Sequence, residues 1–488
     1  MANQFTIGLV TGIHGIVATY VKSALLAAAR QLGKDVRLVE CDWPMPLEAP
    51  STRHAWADRK LTALEAALRL QEQKVDVIVV GDYRSEPFIA ELRNEVQTPI
   101  LSFFEEAKKY IDHHQFKRIG LVGNVLPVEF FKTRLPNIEF IEAEGADPRV
   151  NTDDITTVRE YADRLADAGC DIYFPNCGRM AGVVPKLTEY GYPFLDLFHL
   201  AAESLLKNPP SRYPKPFKVG LVGGLGPAAT VDLYDKLVRF TPAHNDQEHF
   251  RVSIEQNPQT PDRTKCLLEN GEDPSCALFA SARRLEHDGC DAIIIPCNTA
   301  HAFLPFLERH INVPFINMQQ STMEEIHAKM GDKAVIGLLA TTGTVKTGLY
   351  GDKARSLGMP LYAPDDAHQA LVMDAIYGPD GVKAGFTTGK CRDELLKAAQ
   401  YLVDTYGCNC LILGCTELPL ILDEADDFEI GGKHVRITDP TSALARKVVQ
   451  LALETNRARG ITTGPAVTAP AAAGSCGCGC APKTGCGC

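Results

Sequence analysis

The chain has 488 residues, 45% hydrophobic and 23% charged, with a net charge of −11. That composition supports sizeable globular cores, and the acidic balance, without a basic patch or arm, argues against nucleic acid as a partner. No apolar run reaches the length of a membrane span, so no membrane partner is expected.

The N-terminus enters a strand pattern almost at once, Thr6-Ile7-Gly8-Leu9-Val10, without the basic segment and cleavage site of a signal peptide. The loop after it is Thr11-Gly12-Ile13-His14-Gly15. A second apolar run, Val77-Ile78-Val79-Val80-Gly81, is introduced by Lys74-Val75-Asp76 and ends at Asp82, Tyr83 and Arg84. The phrase returns as Gly169-Cys170-Asp171-Ile172-Tyr173-Phe174-Pro175-Asn176-Cys177, followed by Gly178-Arg179. Between Lys207 and Pro216 stand four prolines, which continue neither a helix nor a central strand. Beyond them Lys218-Val219-Gly220-Leu221-Val222 repeats the opening strand and leads into Gly223-Gly224-Leu225-Gly226-Pro227 and a helix over Ala228–Phe240. Two more copies follow: Gly289-Cys290-Asp291-Ala292-Ile293-Ile294-Ile295-Pro296-Cys297 and Gly407-Cys408-Asn409-Cys410-Leu411-Ile412-Leu413-Gly414-Cys415.

Four copies imply four similar α/β lobes. The expected architecture is α/β: two tandem units, each of two pseudo-symmetric parallel-sheet lobes around a cleft. Spacing supports the pairing, because Asp76 to Pro99 and Asp291 to Pro314 align without a gap. Each of those segments reads as strand, loop, amphipathic helix and a short strand (Pro99–Leu101 and Pro314–Ile316). The boundaries are residues 1–208 for unit one, 209–216 for a Pro-rich linker, 217–457 for unit two, and 458–488 for a disordered Ala/Pro/Gly linker with a Cys-rich tail.

The chemistry concentrates at Cys297 and Cys415. Each ends a buried parallel strand, where open α/β sheets bind ligands. Asn298, Thr299 and Thr416 follow directly and can hold a carboxylate beside the sulfurs. Two thiols facing one bound molecule suit removal of a proton from one face of a carbon and delivery to the other, without a cofactor. Such a pair starts as one thiolate and one thiol and titrates as a unit. The plainer reading, two ordinary buried cysteines, is weakened by their matched loops.

Pro296-Cys297-Asn298-Thr299-Ala300-His301 and Gly414-Cys415-Thr416-Glu417 resemble the two catalytic motifs of the PLP-independent aspartate/glutamate racemase family. Gly223–Pro227, Pro261-Asp262-Arg263-Thr264 and Gly381-Val382-Lys383-Ala384-Gly385 resemble its aspartate-racemase branch, in the family's order across essentially all of unit two. The glutamate-racemase branch typically has His where Glu417 stands. The resemblance implies cofactor-free racemisation of an acidic amino acid, most readily aspartate, with Cys297 and Cys415 catalytic. It implies that Arg263 and Lys383 read the side-chain carboxylate; without it, each reads as a solvated surface charge. Gly224, Gly226 and Thr230, at the start of the Ala228–Phe240 helix, join the substrate-binding set; a simple tight turn is the alternative for that loop. A dinucleotide reading lacks its third glycine. His301 and Glu417 either tune the thiols or cap the helices that follow.

Unit one departs from the pattern, with Asp82 in place of the first cysteine and Gly178-Arg179 in place of Thr416-Glu417. It reads as a degenerate unit or as one running different chemistry through Asp82 and Cys177. In the tail, Cys476, Cys478, Cys480, Cys486 and Cys488 cannot build a core, but can wrap Cu(I) or Zn(II). The other eleven of the sixteen cysteines lie in the body without a disulfide-scaffold pattern, which suggests reduced thiols in the cytoplasm. Three rivals stand beside the racemase: a ligand-binding sensor, a thiol-rich metal-handling protein, and a related decarboxylase or cis–trans isomerase. Self-association into a homo-oligomer stays open.

Overall fold

The computed structural model describes residues 4–11, 15–42, 53–81, 83–123, 125–143 and 154–461. The chain divides into two compact units, Met1–Pro214 and Lys215–Cys488. Each holds two mainly parallel sheets, and all four sheets share the order 2-1-3 for their first three strands.

In the first lobe of unit one the spatial order is Val36–Cys41, Phe5–Val10, Val77–Val80, Ile100–Leu101, all parallel. Its second lobe runs Glu139–Glu142, Arg118–Val122, Ile172–Pro175, with Tyr173 bridged to Phe194 in the fourth position. In unit two the first lobe runs Arg251–Gln256, Lys218–Gly223, Ala292–Ile294, with Ile293 bridged to Phe315. The second runs Leu361–Tyr362, Ile336–Leu339, Cys410–Leu413, Lys433–Thr438, extended by the antiparallel strand Ala425–Ile430. In chain order the first three of these lobes run 2-1-3-4 and the last runs 2-1-3-5-4, its antiparallel strand Ala425–Ile430 lying outermost. The chain leaves strands one and three in opposite directions and opens a crevice at their carboxyl ends.

The recurring sequence phrase has a structural cause. Its Asp or Asn ties the start of the third strand to the start of the first. Asp76 accepts from the Thr6 N–H at 2.7 Å, Asp171 from Arg118 at 2.8 Å, Asp291 from Lys218 at 2.9 Å and Asn409 from Val335 at 2.9 Å. The main-chain N–H of each donates back to the same partner's carbonyl, at 2.7–3.0 Å. The residue two places earlier leaves the preceding helix in the left-handed region, with φ of 71° at Gly169, 72° at Gly289 and 68° at Gly407. Glycine suits that position because it has no Cβ. The first copy has Lys74 there, at φ 58°.

One expectation needs correcting. The segment after Cys297 forms no regular amphipathic helix. It is a 3-10 turn, Thr299–Phe303, and a four-residue helix, Leu304–Leu307, and the strand expected over 314–316 is a single bridge. Pro305 lies in the first turn of that short helix, and the chain turns away before a second turn forms.

The closing helix of unit two, Pro440–Ala458, packs on the first lobe, burying Leu444, Val448 and Ala452 with Phe217, Leu221, Leu233 and Ile294. A buried ion pair, Lys236 to Asp439 at 2.6 Å, seals this return, and Asp439 also caps the helix by accepting from Thr441 and Ser442. In the first unit one of the core clusters reaches strands of both sheets, including Leu9 and Leu121. Within it Tyr83 packs at 5.8 Å from Phe103 and 5.4 Å from Phe198, ring centre to ring centre.

Lys74→Gly is expected to stabilise unit one by about 1 kcal/mol, since a β-carbon in the left-handed region costs roughly that much. Denaturant unfolding of the full chain measures it; a fall in stability would contradict this account of the repeat.

Candidate active site

In unit two both crevices open on the same narrow cleft, lined by Cys297, Asn298 and Thr299 from one lobe and Thr341, Gly414, Cys415, Thr416 and Glu417 from the other. These positions follow strands one and three of their lobes: Leu225 follows the first strand of lobe one and Thr341 that of lobe two. The strand order therefore carries the two thiols, 118 positions apart in sequence, to one cleft.

Hydrogen bonds cross between the lobes around it. Thr416 Oγ1 donates to the carbonyl of Pro296 at 3.2 Å. Tyr350 donates to Asn298 Oδ1 at 2.6 Å, and Thr299 Oγ1 lies 2.9 Å from Thr344 Oγ1 and 3.2 Å from Thr341 Oγ1. Tyr350, Thr344 and Thr341 sit on the second lobe's first strand–helix connection, which no sequence motif singled out. Tyr377, also lining the cleft, was missed for the same reason; burial pushes its hydroxyl up to about 12.

The two thiols have different surroundings. Cys415 Sγ donates to Glu417 Oε2 at 3.1 Å. Burial, reinforced by the Glu417 carboxylate, pushes this thiol well above the ordinary range, so it is protonated at neutral pH. Glu417, 4% exposed, also ion-pairs with Lys383. Burial opposes the Lys383 charge, but Glu417 beside it outweighs that and raises its pKa. Cys297 instead lies against Arg263: burial opposes the guanidinium charge, and the Cys297 sulfur supports it. Arg263 Nη1 is pinned by the carbonyls of Pro261 and Thr260, at 2.9 and 3.2 Å.

Lys383, Arg263, Asn298, Thr299 and Thr416 thus all line the cleft, as the sequence suggested. Gly224, Gly226 and Thr230 act a step behind it. Thr230 Oγ1 accepts from the Gly224 N–H at 3.0 Å, and a Cβ on Gly224 would collide with the backbone of Asn257. Gly226, at φ 111°, leaves room for the Glu417 carboxylate, which a Cβ would strike. His301 is buried, and burial lowers its pKa to about 4, so the ring is neutral. Its Nε2 accepts from the Met318 N–H at 3.1 Å, leaving Nδ1 to donate to the Cys297 carbonyl at 2.9 Å. It clamps the Cys297 loop rather than titrating.

Asp82, Gly12–His14 of the unit-one loop and the five tail cysteines lie outside the described residues. Among the described residues, no three His, Cys, Asp or Glu side chains are grouped to hold a metal. No described helix is long and apolar enough to cross a membrane.

Residues 222–448 match the family model described as Asp/Glu/Hydantoin racemase. The chain is 25% identical over 237 residues to the broad specificity amino-acid racemase RacX of Bacillus subtilis, which covers 47% of this chain and 96% of that protein. It is 33% identical over 171 residues to a glutamate racemase of Aquifex pyrophilus, 35% of this chain and 60% of that one. The solved aspartate racemase of Picrophilus torridus is 30% identical, with 49% of this chain and 98% of that chain covered and a TM-score of 0.40. Through residues 222–448 the chain belongs to the Asp/Glu/hydantoin racemase family, and it is an amino-acid racemase.

Proposed function

We propose that unit two racemises an acidic amino acid, most readily aspartate, with Cys297 and Cys415 as the two acid–base groups. The observation that carries this is a pair of unlike thiols in one cleft beside unmatched donors. Asn298 Nδ2 and Arg263 Nε are buried without a partner among the described residues. A buried donor left unpaired costs about 1–3 kcal/mol, and a bound carboxylate relieves that cost. Lys383 adds a second cation to the cleft, which suits a second carboxylate on the substrate.

Roles follow from the surroundings of each sulfur. Cys297, with a guanidinium against it, is assigned the thiolate of the resting pair. Cys415, held as a thiol, delivers its proton to the opposite face. The cationic donors stabilise charge that builds into the substrate carboxylate as the α-proton leaves. A single-cysteine decarboxylase or isomerase has no use for the second thiol. In unit one Tyr83 occupies the position of Asn298 and is buried against Phe103 and Phe198. That supports a non-catalytic role for the first unit.

Cys297→Ala and Cys415→Ala should each lower racemisation of aspartate by at least about 10³-fold, because inversion needs an acid and a base on opposite faces. Polarimetry measures this, and near wild-type turnover in either variant would sink the two-thiol mechanism. Arg263→Ala should weaken transition-state binding of aspartate by about 2–4 kcal/mol, the worth of a charge-assisted contact. That appears in kcat/KM; a wild-type preference for alanine or serine over aspartate would refute the acidic substrate.

A further inference from the structure

Racemisation is reversible, so Cys415 must serve as base in one direction, yet its surroundings hold it as a thiol. The group touching its proton is Glu417, and the same carboxylate holds Lys383. Gly226 leaves the space that lets the carboxylate lie there. Tyr377 faces Lys383, which sits 5.4 Å from its ring centre. Lys383 is the cation that the second carboxylate of the substrate would seek. A carboxylate of the chain itself, that of Glu417, already holds this cation.

We infer that Glu417 is an internal occupant of the Lys383 site, which the substrate's side-chain carboxylate displaces, and that the displaced Glu417 is the acceptor of the Cys415 proton. This rests on the racemase reading above. With its cation taken by substrate, the Glu417 carboxylate becomes the stronger base. The Cys415 S–H bond breaks, an O–H bond forms on Glu417, and the electron pair stays on sulfur. In this direction Cys297 first takes a proton from solvent. The Cys415 thiolate then removes the α-proton, forming S–H, and Cys297 gives its S–H proton to the other face and is left as the thiolate beside Arg263. Glu417 releases its proton to solvent as it returns to Lys383. In the reverse direction the displaced Glu417 takes a proton from solvent as that enantiomer binds. The Cys297 thiolate takes the α-proton, Cys415 donates to carbon, Glu417 returns its proton to the Cys415 sulfur, and Cys297 releases its proton to solvent. Substrate binding and activation of the second base are one event, so a neutral amino acid, unable to take Lys383, leaves Cys415 inactive.

Glu417→Gln, near-isosteric, separates this from a structural role when binding of L-aspartate is measured by calorimetry and turnover by polarimetry on the full chain. Removing the internal competitor should lower Kd about tenfold, while loss of the proton acceptor lowers kcat by about 10²–10⁴-fold. Kd and kcat falling together is a split that loosened packing does not give. In a Lys383→Met background the gain in affinity should vanish. Lys383→Met alone, with Glu417 permanently released, should raise racemisation of alanine above the wild-type level while that of aspartate falls. Unchanged kcat in Glu417→Gln, weaker binding there, or alanine turnover falling in step with aspartate in Lys383→Met overturns the inference while leaving the two-thiol reading intact. A wild-type chain that neither binds nor racemises an acidic amino acid overturns both.

Discussion

Each sheet reverses direction between its first and third strands, and the rest of the molecule depends on that reversal. The connections leave those two strands toward opposite sides, so their carboxyl ends cannot be covered by the chain itself. Two such lobes in unit two turn these ends onto one cleft. Cys297, Asn298, Thr299, Cys415, Thr416 and Glu417 follow from this placement, whereas Arg263 enters from the start of the helix Arg263–Glu269 and Lys383 from the turn Val382–Ala384. The Asp and Asn side chains that clamp strand three to strand one hold the reversal in register, which is why they recur wherever a lobe begins again.

The same arrangement makes the two sulfurs unequal. Each sits in a matched loop, but Arg263 lies against one and Glu417 against the other. A symmetric pair would hold either two thiols or two mutually repelling thiolates. In the proposed mechanism the unequal pair begins with an acid and a base already distinguished. The hydrogen bonds from Thr416 to Pro296 and from Tyr350 to Asn298 join the lobes, so the spacing of the loops is set by both. His301, neutral because it is buried, fixes the Cys297 loop without adding a competing charge.

Much of this was legible in the sequence, because the repeat is local. A strand, its terminal cysteine and the polar residues after it are contiguous, so their shared face needs no long-range contact to be read. The Lys383 and Arg263 positions became readable only through their motifs, since isolated cations look like surface charges. Thr341, Tyr350 and Tyr377 were invisible: Thr341 and Tyr377 reach the cleft, and Tyr350 reaches Asn298, from segments whose pattern says only helix or turn. Thr230 and Gly224 were read either as substrate contacts or as parts of a tight turn; the structure shows Thr230 Oγ1 holding the Gly224 N–H. A tight turn and an anion-binding turn share the same glycines, and only packing separates them. In unit one, Tyr83 in place of Asn298 announced a bulkier residue, but not its aromatic partners Phe103 and Phe198.

The central claim is that two different groups handle the proton on the two faces of one carbon. It is tested most directly by following hydrogen isotope early in the reaction, with one aspartate enantiomer and the wild-type chain in D₂O. Opposed thiols predict that the inverted product carries deuterium at the α-carbon while the remaining substrate keeps its protium. Product that retains the original hydrogen, or substrate that exchanges without inverting, would contradict the account.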